Sequence, residues 1–230
     1  RGVLCVAHGL GGHGDRYQKF ADFMNAHGMT VYAQDHRGHG RNVEKKSQRG
    51  IARMADLERD MVTMIDFAAK ETGLPVIQFG HSLGGLIGLY TTLHSKPPVC
   101  AAIITSPWLK LVSAPPQAAF KAIGALSGVL SPFSINNGIP STALCHDPAV
   151  CAAYDVDPQN HGRIGLALAA DANRAANWVL AHPEALKVPL LLCHGEQDPI
   201  CSVEGSREFA EKAKGVRFVE FEGAYHELHN

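Results

Sequence analysis

No stretch of this chain reaches about 18 consecutive apolar residues, so nothing in it reads as a membrane-spanning helix. Neither sign of charge is in excess: 21 Lys and Arg against 22 Asp and Glu leave a net charge of -1. That lacks the positive field needed to hold a phosphate backbone, and no nucleic-acid partner is expected. The six cysteines (Cys5, Cys100, Cys145, Cys151, Cys193 and Cys201) form no C-x-x-C pair, which removes the usual zinc and redox spacings. Cys5, Cys100 and Cys193 sit inside apolar runs and read as small buried hydrophobes, which points to a reducing, cytoplasmic compartment; a Cys145–Cys151 bridge is not expected. Internal repeats, charge runs and low-complexity tracts are also missing. What remains is 46% hydrophobic and 19% charged over 230 residues, the balance of a packed domain carrying at most one insertion.

Short apolar, β-branched runs at residues 2–7, 29–33, 75–79, 99–104, 190–193 and 216–221 read as strands. Between them Leu57, Met61, Met64, Ile65 and Ala68 recur at helical spacing, as do Phe20, Phe23 and Met24, and then Leu83, Leu86, Ile87, Tyr90 and Leu93. Such alternation predicts an α/β protein, a mainly parallel sheet with helices on both faces. It lapses from Trp108 to His161, where Pro115, Pro116, Pro132, Pro140, Pro148 and Pro158 interrupt short Ala- and Leu-rich helices. The expected organisation is a core of residues 1–107 and 162–230 with a helical cap at 108–161, and a helix at 173–181 leading back to the sheet.

The strongest chemical signal is Gly80-His81-Ser82-Leu83-Gly84, a G-x-S-x-G placed after the strand PVIQF and opening the helix LGGLIGLY. Glycines on both sides let the strand turn sharply into the helix and leave the serine hydroxyl exposed above the sheet. A serine needs a histidine to take its proton and a carboxylate to orient that histidine, in the order Ser, acid, His. Asp198 follows the strand ending in LLLCHG, and His226 follows the last strand, so both fall at the carboxyl edge of the sheet where ligands bind. Ser82, Asp198 and His226 are the expected triad, with Glu196 and His229 as competing positions. The oxyanion donors are expected to be the backbone N–H groups of Leu83 and of Leu10, the latter in the loop His8-Gly9-Leu10-Gly11-Gly12. That loop lacks the Lys-Ser/Thr of a P-loop, and the 13 histidines fit no metal-binding spacing, so neither a cofactor nor a metal is assigned.

Five blocks, HGLGGHGDRY at 8–17, QDHRGHGR at 34–41, GHSLGG at 80–85, HGEQDPI at 194–200 and AYHELHN at 224–230, resemble the monoacylglycerol lipase and lysophospholipase branch of the α/β-hydrolases, as do SPWLKL and DPQNHGRI in the cap. The resemblance implies an α/β-hydrolase fold and a serine esterase acting through an acyl-enzyme on single-chain lipid esters, with the acyl chain in an apolar tunnel beneath the cap. Gly12 stands where that family often has Glu, and Asn42 where Ser is common after GHGR, whereas Arg16 keeps the family's basic position. Phe120, Ile123, Leu126, Val129, Leu130 and Phe133 form an apolar stripe that reads either as packing or as an acyl-chain gate touching lipid surfaces peripherally. With only Lys110 and Lys121 in the cap, strong attraction to anionic lipid is not expected. A short-chain esterase or thioesterase, or a catalytically silent binding module, are the rival readings. Because the chain starts inside a strand and stops soon after His226, further strands and a helix are expected beyond its two ends.

Overall fold

Six apolar runs become six parallel strands in the computed structural model, which describes residues 1–230. In chain order the elements begin with β1 (Gly2–Ala7), α1 (Gln18–Ala26), β2 (Met29–Gln34), α2 (Met54–Thr72), β3 (Val76–His81), α3 (Leu83–His94) and β4 (Val99–Thr105). There follow α4 (Gln117–Ala125), α5 (Ser127–Leu130), β5 (Ser134–Asn136), α6 (Pro148–Val156) and β6 (Arg163–Gly165). The chain then closes with α7 (Leu166–Ala181), β7 (Leu190–Gly195), α8 (Val203–Lys212) and β8 (Val216–Phe221). The sheet runs β2-β1-β3-β4-β7-β8, with β1 buried along its whole length between two partners.

Burial explains the strand composition. β1 must be apolar on both faces because helices cover both. The larger core places Leu57, Met61 and Ile65 of α2, Leu86, Ile87 and Leu89 of α3, and Leu168 and Ala172 of α7 over one sheet face. On the other, Tyr17 and α1 residues Phe20 and Met24 cover Leu4, Val6 and Phe79. The chain is therefore an α/β protein with a mainly parallel sheet and helices on both faces, as its periodicity predicts.

Three details differ from the sequence reading. Helix α7 begins at Leu166, because its first half, LALAADA, consists of strong helix formers whose Ala167, Leu168 and Ala172 pack inward. Helix α8 gave no apolar period: it buries Phe209 and displays Glu204, Arg207, Glu208 and Lys212, which pair with one another. The small antiparallel sheet of β5 with β6 carries the insertion's pairing to Gly165 rather than His161, since Ser134, Ile135 and Asn136 align with Gly165, Ile164 and Arg163.

The site follows from topology. From β1 the chain moves to β2 on one side and then to β3 on the other, so a crevice opens between the carboxyl ends of β1 and β3. Those ends carry the loop from His8 to Gly12 and the turn at Ser82.

Candidate active site

Ser82 sits between β3 and α3 with φ 56° and ψ −119°, a conformation that a non-glycine residue adopts only when its surroundings enforce it. The enforcement is visible. Its N–H donates to the Thr105 carbonyl at 3.0 Å, and its carbonyl accepts from Leu86 and Trp108 N–H, each at 3.0 Å. A Cβ on Gly84 would lie 2.0 Å from the Ala7 carbonyl oxygen, and one on Gly80 would lie 2.3 Å from that of Gly84. Only glycine allows the elbow to press this closely on the end of β1.

His226 Nδ1–H donates to Asp198 Oδ2 at 2.7 Å. Asp198 Oδ1 accepts from the N–H groups of Ile200 at 2.8 Å and Cys201 at 3.0 Å, and His194 Nε2 lies 3.2 Å from Oδ2. Burial by itself raises the Asp198 carboxyl, but hydrogen bonds from His194, His226 and the Ile200 N–H outweigh it and hold the group well below the usual carboxylate range. It is an anion, and it fixes the imidazole tautomer with Nδ1 protonated. Ser82 and His226 line one small cavity of about 40 Å³ without a hydrogen bond between them. Such contacts tighten when substrate is held.

The structure brings together Ser82, Asp198 and His226 and leaves the competing positions outside. Glu196 is exposed, and His229 stacks on Tyr17 at 4.8 Å with neither ring nitrogen hydrogen-bonded. Burial pushes the His229 imidazole down to about 4. Leu10 and Leu83 flank Ser82. A Cβ on Gly9 would sit 3.2 Å from that of Ser82, so the next peptide, which carries Leu10 N–H, lies against the serine. Leu83 is the first residue of α3, where an N–H has no partner within the helix.

Two pairings escaped the sequence reading. Arg16 grips Glu227 in a bidentate ion pair at 2.6 and 2.8 Å, with Glu227 almost fully buried. The same guanidinium lies 4.8 Å from the centre of the Tyr154 ring in α6. A signal was present: Gly12 stands where the resembled family often has Glu, and Glu227 is the residue next to His226. The second is Ser106, whose Oγ–H donates to the His226 carbonyl at 2.8 Å.

The sequence model of the family described as serine aminopeptidase, S33 (Hydrolase_4) matches residues 1–230. The chain belongs to that family. A monoacylglycerol lipase of Mycolicibacterium smegmatis is 31% identical over 234 residues, covering 100% of this chain and 82% of the relative. Human monoglyceride lipase is 31% identical over 239 residues, covering 100% of this chain and 76% of the relative. Among solved structures, the monoacylglycerol lipase of Paleococcus ferrophilus superposes with a TM-score of 0.89 at 32% identity, covering 99% of this chain and 87% of the other. Membership makes the fold an α/β-hydrolase and the protein a serine hydrolase, and it agrees with the resemblance carried by the five sequence blocks. No helix is long and apolar enough to cross a membrane.

Within this member of the family a second, apolar cavity of about 230 Å³ adjoins the first. Its walls are Trp108, Leu111, Phe120, Ile123, Ile164, Leu166 and neighbours, and Leu10 and Ser82 line both cavities. The largest groove, about 1020 Å³, lies away from this chemistry between β2 and α2 and is open and polar, lined by Asp35, Arg37, Gln48 and Asp60. Size does not locate the site; convergence of polar groups on a strained serine does.

Proposed function

We propose that this enzyme hydrolyses monoacylglycerols and related single-chain lipid esters through an acyl-enzyme formed on Ser82. The observation that carries the reading is the meeting of two unlike cavities at that serine, a small polar one and a larger apolar one. A substrate that fits both has a short polar head, one apolar tail and its ester between them. Arg16, Glu227, Tyr154, Asn137 and Ser141 surround the head. Because Glu227 already neutralises Arg16, that pocket offers no free cation for a phosphate, which favours a neutral polyol over a lysophospholipid head.

The chemistry follows from the contacts. Ser82 Oγ attacks the ester carbonyl while His226 Nε2 takes its proton, and the Asp198 anion stabilises the imidazolium. Leu10 and Leu83 N–H groups hold the oxyanion, each contributing about 2.7–4 kcal/mol to the transition state. Collapse expels glycerol, which receives the proton from His226, and water repeats the sequence to release the fatty acid. No step calls for a cofactor or metal. The apolar cavity, lined by Trp108, Phe120 and Ile123, receives the chain carbons nearest the ester.

Leu126, Val129, Phe133 and Ile135 project from the insertion as exposed apolar side chains, a surface suited to peripheral contact with lipid aggregates in the cytoplasm. The test is a hydrolysis panel of monoacyl, diacyl and triacyl glycerols and lysophospholipids across chain lengths. The expected result is preference for monoacylglycerols and loss of turnover and of fluorophosphonate labelling in Ser82→Ala. Labelling of another serine, or rates that ignore tail length, would overturn the reading.

A further inference from the structure

Three non-glycine residues have positive φ: Ser82 at 56°, Lys96 at 52° and Ser106 at 44°. Lys96 is exposed in the turn after α3, and Ser82 is the elbow. Ser106 is a different case. Like Lys96 it precedes a proline, Pro107, whose ring pushes the residue before it toward extended backbone, but unlike Lys96 it is wholly buried. A serine held against both preferences must be offset by what it contacts.

Its contacts converge on two residues of the site. Ser106 N–H donates to the Cys193 carbonyl at 2.8 Å, prolonging the β4 to β7 pairing by one residue. Its hydroxyl donates to the carbonyl of His226 at 2.8 Å. Two residues on, Trp108 N–H donates to the carbonyl of Ser82 at 3.0 Å. The tripeptide Ser106-Pro107-Trp108 thus holds the backbone of both Ser82 and His226 from the point where the chain leaves the sheet for the insertion. The other ties to this loop lie elsewhere: Gln197 N–H to the Ala224 carbonyl at 3.0 Å, Glu227 N–H to the Leu144 carbonyl at 2.7 Å, Arg16 to the Glu227 carboxylate, His146 to the Gly223 carbonyl at 2.8 Å, and the Asp198 bond to the imidazole itself. None of these ties reaches the His226 carbonyl.

We infer that Ser106 is a positioning residue, whose hydroxyl fixes the backbone of His226 against the elbow of Ser82 so that the imidazole meets the attacking hydroxyl. The inference rests on the assignment of Ser82 as nucleophile and His226 as base. Displacing a reacting group by about 1 Å costs up to ~100-fold in rate. Because Ser106 touches no substrate, the loss falls on kcat and leaves KM alone.

The test uses Ser106→Gly and Ser106→Ala in the full chain. Glycine accepts φ 44° freely and removes the whole side chain, Cβ and hydroxyl together, so it relieves the turn while losing the hydrogen bond. Alanine keeps the strain and loses the bond. With a short, dissolved ester below each variant's melting temperature, both are expected to lose roughly ten- to a hundredfold in kcat at unchanged KM. The rate of Ser82 phosphonylation should fall by the same factor. Lys96→Gly, which relieves the same strain far from the site, should leave kcat and labelling unchanged. If Ser106→Gly retains kcat within about twofold, or if KM rises while kcat holds, the positioning role is wrong and Ser106 serves only the turn. Ser82→Ala is assayed in parallel: activity surviving there would sink the nucleophile assignment itself, a result distinct from an ordinary rate in Ser106→Gly.

Discussion

The two halves of the insertion meet different parts of the site. Residues 113–139 line the larger cavity with Phe120 and Ile123 and leave Leu126, Val129 and Phe133 exposed, and their hydrogen bonds run to residues 162–173: β5 pairs with β6, Leu166 N–H donates to the Phe133 carbonyl at 2.9 Å, and the Gln117 and Asn173 amides bond each other at 2.9 and 3.2 Å. Residues 140–161 are pinned by directed contacts: Leu144 carbonyl to Glu227 N–H, His146 to the Gly223 carbonyl, Tyr154 against Arg16, Asp157 to His13 at 2.8 Å, and His161 N–H to the Gly11 carbonyl at 2.9 Å. Every one of these reaches a loop that carries a site residue or its neighbour. The apolar half shapes what enters, and the pinned half fixes where His226 and the oxyanion loop stand.

The largest break in this comparison comes from Glu227→Ala. Removing one partner of a buried ion pair leaves the Arg16 guanidinium uncompensated, at a cost of about 3–5 kcal/mol. The variant should melt much lower and lose rate equally on short and long esters, because the pinned half serves the chemistry rather than the tail. A loss confined to long-chain esters would show that both halves select substrate. Melting curves with acetate and decanoate esters decide it.

Acid attacks the same half. His8, His36, His39 and His161 form a buried cluster where the insertion meets the loops after β1 and β2, with ring centres 4.0 Å apart for His8 and His36 and 4.7 Å for His39 and His161. Burial pushes His36 down to about 4 and His39 to about 3. An unfolded histidine titrates near ~6.5, so between there and pH 4 to 3 the unfolded chain binds more protons than the native one. The cluster's stability is complete above about pH 6.5 and drains away as pH falls through that window. Asp198, held far lower, gives way only at stronger acid. A melting temperature that stays level from pH 7 to 4.5 would contradict this.

A smaller and more selective effect is expected from Phe120→Asp, which puts a carboxylate on the wall of the apolar cavity. Each CH₂ that loses its apolar contact forfeits ~0.8 kcal/mol, so a few such losses separate long from short esters by an order of magnitude or more. In the parent enzyme, kcat/KM should climb with chain length as methylenes fill the apolar cavity. Equal losses on acetate and decanoate would return Phe120 to a packing role.

The contrast between the halves also explains what was legible in the sequence. All six sheet strands, the G-x-S-x-G elbow and the positions of Asp198 and His226 follow from local signals: β-branched runs, glycine turns and strand ends. The apolar stripe of α4 and α5 was visible, but not its division into Phe120 and Ile123 inward and Leu126 and Val129 outward, because a stripe does not say how deep a helix sits. The pinned half was opaque. Its contacts join residues far apart in the chain, such as His13 with Asp157 and Gly38 with His161, through pairings that no local period encodes. Ser106 was hidden for the same reason: a serine before proline reads as a turn, and only the fold brings its hydroxyl to His226.

The smallest effect sharpens the comparison most, because it separates surface from wall within the apolar half. Val129 and Leu126 are 73% and 57% exposed, and neither lines the cavity. Replacing either with Ser removes little that the folded protein uses, so stability should change by no more than about 0.5 kcal/mol. Turnover of a dissolved short ester should stay at the parent rate, since no contact of Ser82 or His226 involves these side chains. On dispersed monoacylglycerol the outcome should differ. An aliphatic side chain that leaves water for lipid contributes ~1.5–3 kcal/mol when fully buried. Partial insertion of two such side chains therefore corresponds to a several-fold gain in enzyme held at the surface. The double variant should show a reduced rate on vesicles or micelles, with sedimentation revealing less bound protein, while the dissolved-ester rate is untouched. Equal rates of parent and double variant on dispersed substrate would mean that the exposed ridge does not meet lipid and that the tail reaches the cavity from monomeric substrate alone.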